Sequence, residues 1–466
     1  MQKHVTEQTA ILFSVTKWVF LSSVIGVMIG SVVTLFLETL AYAEKSRTML
    51  GFPYYYTLPI ALVITVWVIK TFAPTAQGHG TEKVISAIHK DNGKIDIKVI
   101  PIKLFATVLT IFSGGSVGKE GPGAQIGAGV ASATSDFLKF KKEDRKKLVI
   151  CGISAGFATV FGTPIAGAIF GVEALIIGVI MYDVLLPSFI AGFSAFTTAQ
   201  FLGIKYTYFD LHFFQSLNLD LGLIAKVVLA GLFFGVVAFF FIAMVNRVEE
   251  LIKKIKLNIY LKTFIGGVVI VLLTLIFGTD YIGLGLDGIS NALMPTVGDA
   301  NIHWYTFILK TIFTSISLGS GGSGGIITPI FYVGATSGNF LGHIISPDHV
   351  TLFAALGFVS VLSATTNTPI ASTIMAVELF GIDIAHYAAI SAVISFLISG
   401  HRSVFPSQIL AMKKSDALSI KMGEEIENAE VDLQENNKHK INKIKKGLRK
   451  KRIARLKKIR DNKVKK

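Results

Sequence analysis

The chain has 466 residues, of which 52% are hydrophobic and only 16% are charged, and its mean hydropathy is +0.61. This much apolar surface excludes an ordinary soluble protein and predicts an integral membrane protein. The single cysteine, Cys151, excludes an intramolecular disulfide and a CxxC metal site, and the histidines show no HExxH spacing typical of zinc hydrolases.

Apolar segments long enough to span a bilayer recur along the chain, for example at residues 18–37, 221–245 and 263–277. The first resembles a secretory signal in one respect, because the AYA at 41–43 could be a cleavage site. Its apolar run is longer than the core of a signal peptide. We therefore expect a membrane helix there.

Basic residues cluster in some loops between the apolar segments and avoid others. They are dense at 90–103, 139–147 and 247–262, whereas 294–303 and 344–352 contain no Lys or Arg and 202–213 contains only Lys205. The positive-inside rule places the basic loops in the cytoplasm and the others outside. It predicts a multi-pass protein of the cell membrane with a cytoplasmic C-terminus.

The net charge of +15 lies in the tail, because residues 438–466 contain 16 Lys or Arg and one acid, Asp461. The remaining chain is neutral. Next to a membrane domain, such a tail indicates a solvated cytoplasmic segment or contact with anionic lipid headgroups, rather than nucleic-acid binding.

The chain contains an internal repeat. KLFATVLTIFSGGSVGKEGP begins at Lys103 and KTIFTSISLGSGGSGGIITP at Lys310, 207 residues later. GHGTEKVISAI (78–88) and GLGLDGISNAL (283–293), and then TPIAGAIFGVEAL (163–175) and TPIASTIMAVELF (368–380), match at 205 residues. The loops that follow the two GxG motifs differ in charge, so equivalent loops lie on opposite faces. This is the pattern of an inverted repeat.

Each repeated motif is a Gly-rich break followed by an apolar helical run, at 81–89, 122–138 and 329–343. Glycine permits the break, and Pro122 or Pro329 suits a first helical turn. Helix N-termini that start inside the membrane offer free N–H donors and positive potential, which favours an anion. Close packing of small residues explains isolated glycines as well. It does not explain Glu120 within the break.

An enzyme with a phosphate-binding loop is excluded by two positions. The GxxxxGK[ST] pattern would need glycine at 113 and a hydroxyl at 120, where the chain has Ser113 and Glu120. A cation-coupled secondary transporter is a stronger alternative, but it would place acids in both breaks. Glu120 has Ile327 as its repeat counterpart. We therefore expect no enzyme activity and no cofactor.

The motifs GKEGP (118–122), GGIITP (324–329), GHG (78–80) and TPIAGAIFGVE (163–173) resemble the CLC family of chloride channels and proton-coupled chloride transporters, over residues 18–412. The resemblance implies homodimers with one pore per subunit. We expect an all-α polytopic membrane protein with two inverted-topology repeats, whose broken, re-entrant helices meet at a midplane anion site.

Carried over to this chain, the resemblance makes Glu120 the gating glutamate, which competes with the anion and leaves when protonated. The alternative for Glu120 is a structural ion pair with Lys119. The implied anion-binding residues are His79, Gly80, Gly118, Lys119, Glu120, Gly121, Gly325, Ile326, Ile327 and Phe405.

Three positions depart from the family pattern. His79 stands where the family has an anion-coordinating serine; it can donate a ring N–H or simply pack at the inner mouth. Phe405 replaces the pore tyrosine and can only line the path as a ring edge or a constriction. Ala174 replaces the proton-transfer glutamate of many exchangers, whereas Glu173 and its repeat partner Glu378 are expected to cap or cross-link helices.

These departures favour passive chloride transport, with a proton-coupled chloride antiporter as the alternative. Nitrate and bromide stay open, and fluoride is disfavoured because fluoride-specific members depart from GKEGP. The expected segments are a cytoplasmic 1–17, a first repeat 18–203, a connecting loop 204–220, a second repeat 221–400, a pore-lining last helix 401–412 and a basic cytoplasmic tail 413–466 largely without a core.

Overall fold

The computed structural model describes residues 2–206, 208, 220–294 and 302–434. The first half contains α1 Gln2–Ser46, α2 Leu58–Phe72, α3 Gly80–Lys90, α4 Val99–Phe112, α5 Glu120–Phe137, α6 Lys142–Phe161, α7 Pro164–Glu173 and α8 Tyr182–Phe201. The second contains α9 Leu221–Lys254, α10 Ile259–Phe277, α11 Leu286–Leu293, α12 Thr306–Gly319, α13 Ile327–Ile345, α14 Val350–Thr366, α15 Pro369–Phe380 and α16 Ala385–Ile398.

The two halves repeat the same order of elements, with α1–α8 corresponding to α9–α16. The predicted helix starts agree closely, since α3, α5 and α13 begin at Gly80, Glu120 and Ile327. The all-α polytopic fold with broken helices is therefore confirmed. Small strands complete it: β1 Ile176–Ile177 pairs in parallel with β2 Ile409–Leu410, and β3 Leu418–Ser419 pairs antiparallel with β4 Asp432–Leu433.

Six helices within the described ranges are long and apolar enough to cross a membrane, and they include α1, α9 and α10, where the apolar segments were predicted. The AYA at 41–43 continues α1. Large apolar side chains such as Phe13, Phe20 and Ile276 are exposed on these helices. Such faces fit the hydrocarbon of a bilayer.

Glycine allows the helices around the breaks to pack backbone against backbone. A Cβ added to Gly127 would lie 2.4 Å from the Gly152 carbonyl oxygen, which joins α5 to α6. In the second half a Cβ on Gly334 would lie 2.3 Å from the Gly357 oxygen, which joins α13 to α14. At these positions the small-residue packing explanation holds.

Two of the loops predicted to be cytoplasmic contact the N-terminal and C-terminal segments, which were predicted to be cytoplasmic as well. Lys17 of α1 pairs with Asp144 at 2.8 Å, and Lys90 pairs with Glu425 at 3.0 Å. Of the loops predicted to face outward, 344–352 is described, whereas half of 202–213 and most of 294–303 lie outside the described residues.

The prediction of a last helix over 401–412 is wrong. Between α16 and residue 412 the chain is irregular and then forms β2, which pairs with β1. Pro406 lacks an N–H for a helical bond, and Gln408 directs its side-chain amide to the Ala174 and Thr366 carbonyls, both at 2.8 Å. These contacts replace the hydrogen bonds that a helix would have made.

Residues 413–434 are also more structured than a tail without a core. Lys414 is held by the Asn367 side chain at 2.6 Å and the Phe396 carbonyl at 2.7 Å, and the β3–β4 pair follows. The strongly basic residues 438–466 lie outside the described residues.

Candidate anion site

The two Gly-rich breaks are joined to each other at the centre of the molecule. The Gly118 N–H donates to the Gly325 carbonyl at 2.7 Å, and the Gly325 N–H donates to the Gly118 carbonyl at 2.6 Å. The pair is antiparallel and links positions that are 207 residues apart. The repeated motifs therefore meet across an approximate two-fold axis, as an inverted repeat requires.

Three helix starts converge on this pair. A Cβ added to Gly80, the first residue of α3, would lie 2.2 Å from the Gly121 oxygen, and one added to Gly325 would lie 2.7 Å from the Gly121 nitrogen. Only glycine allows backbones to approach this closely. The positive ends of α3, α5 and α13 thus point into one small region, which favours a negative group there.

Hydroxyl groups support both breaks in matching positions. Ser116 donates its N–H to the Ser317 hydroxyl at 3.0 Å, and Ser323 donates its N–H to the Thr110 hydroxyl at 3.2 Å. Each donor lies in one repeat and each acceptor in the other. The breaks are therefore held by the opposite repeat.

The fourth helix start, that of α11, is closed by an aromatic ring. A Cβ on Gly285 would lie 2.8 Å from Tyr332, whose ring also lines a polar cavity of about 500 Å³ beside α11. Tyr332 corresponds to Gln125 in the first repeat, 207 residues earlier. The two repeats therefore differ in the side chain that lies against this helix start.

A negative group does occupy the site: the carboxylate of Glu120. Its Oε2 accepts the Thr328 N–H at 3.0 Å and also the Thr328 hydroxyl. Glu120 is only 1% exposed and begins α5, while Thr328 lies in the first turn of α13. The carboxylate stands where the N-terminus of α13 would bind an anion.

The neighbouring predicted residues contribute a backbone N–H group and apolar side chains that line the site. Lys119 precedes α5, its N–H lies 3.4 Å from the Thr328 hydroxyl, and within the described ranges no ion pair joins it to Glu120. Ile326 and Ile327 begin α13 and are each 1% exposed. Their apolar side chains exclude water from the region beside Glu120.

His79 lies immediately before α3, and its Nδ1 is buried without a hydrogen-bond partner within the described part of the chain. An unpartnered ring nitrogen next to Gly80 is available to an anion.

The break before α3 is held by a lysine, and its counterpart is held in the same way. The Lys103 amine donates to the Ala76 carbonyl at 3.1 Å and the Gly78 carbonyl at 2.6 Å. The Lys310 amine donates to the Tyr281 and Gly283 carbonyls at 3.2 and 3.1 Å. Both lysines are fully buried, and these backbone carbonyls satisfy their amines.

Phe405 is fully buried in the large apolar core that also contains Ile326 and Ile327. Its ring meets Phe170 edge-on at 6.4 Å. Two residues on, the Ser407 N–H donates to Glu82 of α3 at 3.2 Å. Phe405 is thus connected to the central site through the start of α3.

The carboxylates near Ala174 are engaged elsewhere. Glu173 accepts the Ile370 and Ala371 N–H groups at 3.0 and 2.8 Å, at the start of α15. Glu378 accepts the Ile165 and Ala166 N–H groups at 3.0 and 2.7 Å, at the start of α7. The expected capping and cross-linking role of both glutamates is confirmed.

Two functional contacts were missed from the sequence, those of Thr328 and Glu82. Thr328 is the residue before Pro329 in GGIITP, and its place in the first turn of a break helix was the available signal. Glu82 follows GHG by two residues, but its partner Ser407 is 325 positions away. No local pattern reveals that pairing.

A family model described as "Voltage gated chloride channel" matches residues 60–400. A "Chloride/fluoride channel protein" of Pseudomonas syringae pv. tomato is 33% identical over 415 residues, which is 88% of this chain and 90% of the relative. An "H(+)/Cl(-) exchange transporter ClcA" of Vibrio vulnificus is 26% identical over 86% of this chain and 90% of its own length.

A solved structure described as a CLC-type fluoride/proton antiporter superposes with a TM-score of 0.80 at 30% identity, covering 85% of this chain and 99% of its own. A slow cyanobacterial Cl-/H+ antiporter gives 0.70 at 20% identity, over 82% and 94% of the two chains, and supports the fold alone. With the family model covering most of the membrane part, these similarities show that the chain belongs to the CLC family, the voltage-gated chloride channels and their transporter relatives.

Proposed function

We propose that this protein carries small halide ions across the cell membrane by a passive pathway gated by Glu120. One observation carries the proposal: the Glu120 carboxylate accepts the Thr328 N–H at the start of α13, in a buried site where three helix N-termini meet. A carboxylate in that position competes with an anion for the same donors. Protonation weakens its hold, and an anion then replaces it.

The proposal of passive transport, without proton coupling, rests on Ala174 and Glu173. Alanine cannot exchange a proton, and the Glu173 carboxylate is committed to two backbone N–H groups of α15. Proton-coupled antiport is the second candidate. It is favoured by the names of two relatives, the exchange transporter of V. vulnificus and the fluoride/proton antiporter at 30% identity.

Chloride and fluoride are both candidate ions. The retained GKEGP motif argues for chloride, whereas two relatives at 30% and 33% identity carry fluoride in their names. The unpartnered His79 ring nitrogen and the Thr328 hydroxyl supply donors that either halide accepts. We propose that the basic loops and the C-terminus are cytoplasmic, and that the protein forms a homodimer with one pore per subunit.

Efflux from liposomes tests this proposal. Purified protein is reconstituted with potassium chloride or potassium fluoride, and valinomycin is added to balance the charge. Halide should leave with wild-type protein, and the Glu120→Gln variant should lose the larger part of the pH dependence of that efflux. Flux of a cation in place of the halide would overturn the anion assignment. Uphill proton movement driven by a halide gradient would replace the passive reading with antiport.

A further inference from the structure

The contact between Glu82 and Ser407 joins the start of α3 to the chain beside Phe405. The Glu82 carboxylate accepts the Ser407 N–H at 3.2 Å and also its hydroxyl. Glu82 lies two residues after Gly80, whose backbone touches the central site. Ser407 lies two residues after Phe405. One carboxylate therefore connects the anion site to Phe405, in the segment 401–412, which we call the inner segment.

The chain on either side of this contact is fixed independently. Residues before it are held by Val404, whose N–H donates to the Thr365 carbonyl at 2.9 Å. Residues after it are held by the Gln408 side chain and by β2. The short stretch 405–407 between these anchors is held by the Phe405 N–H on the Ser403 hydroxyl at 2.9 Å and by the Glu427 N–H on the Pro406 carbonyl at 3.1 Å. The Glu82 carboxylate adds the contact to Ser407.

Glu82 is only half-buried, so a proton can reach it from the aqueous side that also contains the Lys90–Glu425 ion pair. The charged groups nearest to it are Lys83 on its own helix, Glu427 from the segment after β3, and the Lys90–Glu425 pair. An ionised carboxylate accepts an N–H and a hydroxyl more strongly than a protonated one.

We propose that Glu82 is a positioning residue for the inner end of the anion path: when ionised it holds Ser407 and keeps Phe405 packed on Phe170, and when protonated it releases this stretch. The inference rests on the proposed halide transport. Release loosens the aromatic constriction, so acid on this face increases halide flux by a second route that does not involve Glu120. Position 174 is alanine, so its side chain cannot respond to acid in this way.

Halide efflux in the Glu120→Gln background isolates this route. That variant should keep a residual increase in efflux between about pH 7.5 and about pH 5, because burial raises the pKa of Glu82 to about 7. Adding Glu82→Gln should make the efflux rate independent of pH and equal to the rate seen at low pH. Efflux at the higher pH should therefore rise about tenfold, the effect of losing roughly one charged hydrogen bond. Ser407→Ala, which keeps the N–H but removes the hydroxyl donor, should reduce the remaining pH dependence without abolishing it. Glu430→Gln, an exposed acid of the same segment without the Ser407 contact, should leave the profile unchanged.

Hydrogen exchange provides a second measurement that needs no transport. After correction for the intrinsic rate, the amides of Phe405 and Ser407 in wild-type protein should exchange faster at the lower pH, and in Glu82→Gln they should exchange fast at both. Equal protection at both pH values in wild-type protein, or a pH profile that survives Glu82→Gln, would overturn the inference. Loss of all halide transport in wild-type protein would instead refute the proposed function, and exchange would still test the Glu82 contact.

Discussion

Glu173 and Glu378 cap each other's helices across the two repeats. Each is in the last turn of a short helix, and each carboxylate accepts two N–H groups at the start of the other helix, α15 or α7, at 2.7–3.0 Å. The two glutamates therefore hold α7 of the first repeat against α15 of the second. A carboxylate used in this way stabilises the fold.

Replacing Glu173 with alanine should therefore reduce stability and leave the gate intact. Two N–H groups at the start of α15 lose a charged acceptor, so we expect a loss of about 1–3 kcal/mol, read as a lower melting temperature in detergent. Glu250→Ala on the exposed end of α9 is the control and should change little. If Glu173→Gln altered the pH profile of halide efflux, Glu173 would have a role beyond capping.

Gly80→Ala should abolish halide transport. The added methyl group would lie 2.2 Å from the Gly121 oxygen, so the start of α3 would have to move away from α5 and α13. Gly51→Ala is the matched control, because no atom lies within 4 Å of its added methyl group. Efflux from liposomes distinguishes the two variants. Normal transport by Gly80→Ala would mean that the α3 start does not contribute to the site.

The Thr328 hydroxyl should set how firmly Glu120 is held. Thr328→Val keeps the shape and the N–H but removes the hydroxyl donor, so the carboxylate is displaced more readily. We expect faster efflux at neutral pH and an acid-activated limb that moves to higher pH. Thr328→Ser retains the hydroxyl and should behave like the wild type. Identical profiles for Val and Ser would show that the hydroxyl has no part in gating.

His401 should make attachment of the segment after the membrane part sensitive to acid. Burial, with help from Lys414 and Arg402, lowers the pKa of His401 to about 4, and its Nε2 accepts the Lys414 N–H at 2.9 Å. The neutral ring stabilises the attached state above the usual pKa of about 6.5, and this contribution is lost as the pH falls towards 4. Limited proteolysis of residues 413–434 should therefore accelerate in this interval. In His401→Gln the acceleration should disappear; its persistence would exclude His401 as the cause.

The repeat was the most informative feature of the sequence, because inverted duplication preserves spacing. The starts of α5 and α13 could be predicted from GKEGP and GGIITP, and the Gly118–Gly325 pair lies at the predicted offset of 207 residues. The capping role of Glu173 and Glu378 followed from the match between TPIAGAIFGVEAL and TPIASTIMAVELF. These features depend on local backbone rules, which a sequence expresses directly.

The inner segment was less predictable, because tertiary contacts decide its structure. The expected helix at 401–412 is replaced by the β1–β2 pairing and the Gln408 side-chain bonds. The Glu82–Ser407 contact joins distant parts of the chain, and the Thr328 hydroxyl has no counterpart in the first repeat, where Gly121 stands. Such pairings depend on the packed fold.

The central claim is that the Glu120 carboxylate and a halide compete for the same donors at the start of α13. Calorimetric titration of chloride and fluoride into purified wild-type protein and Glu120→Gln tests this competition without transport. We predict that Glu120→Gln binds a halide with a pH-independent Kd, whereas the wild type binds weakly at neutral pH and approaches the variant's affinity as the pH falls. Equal affinity in both proteins at neutral pH would contradict the claim.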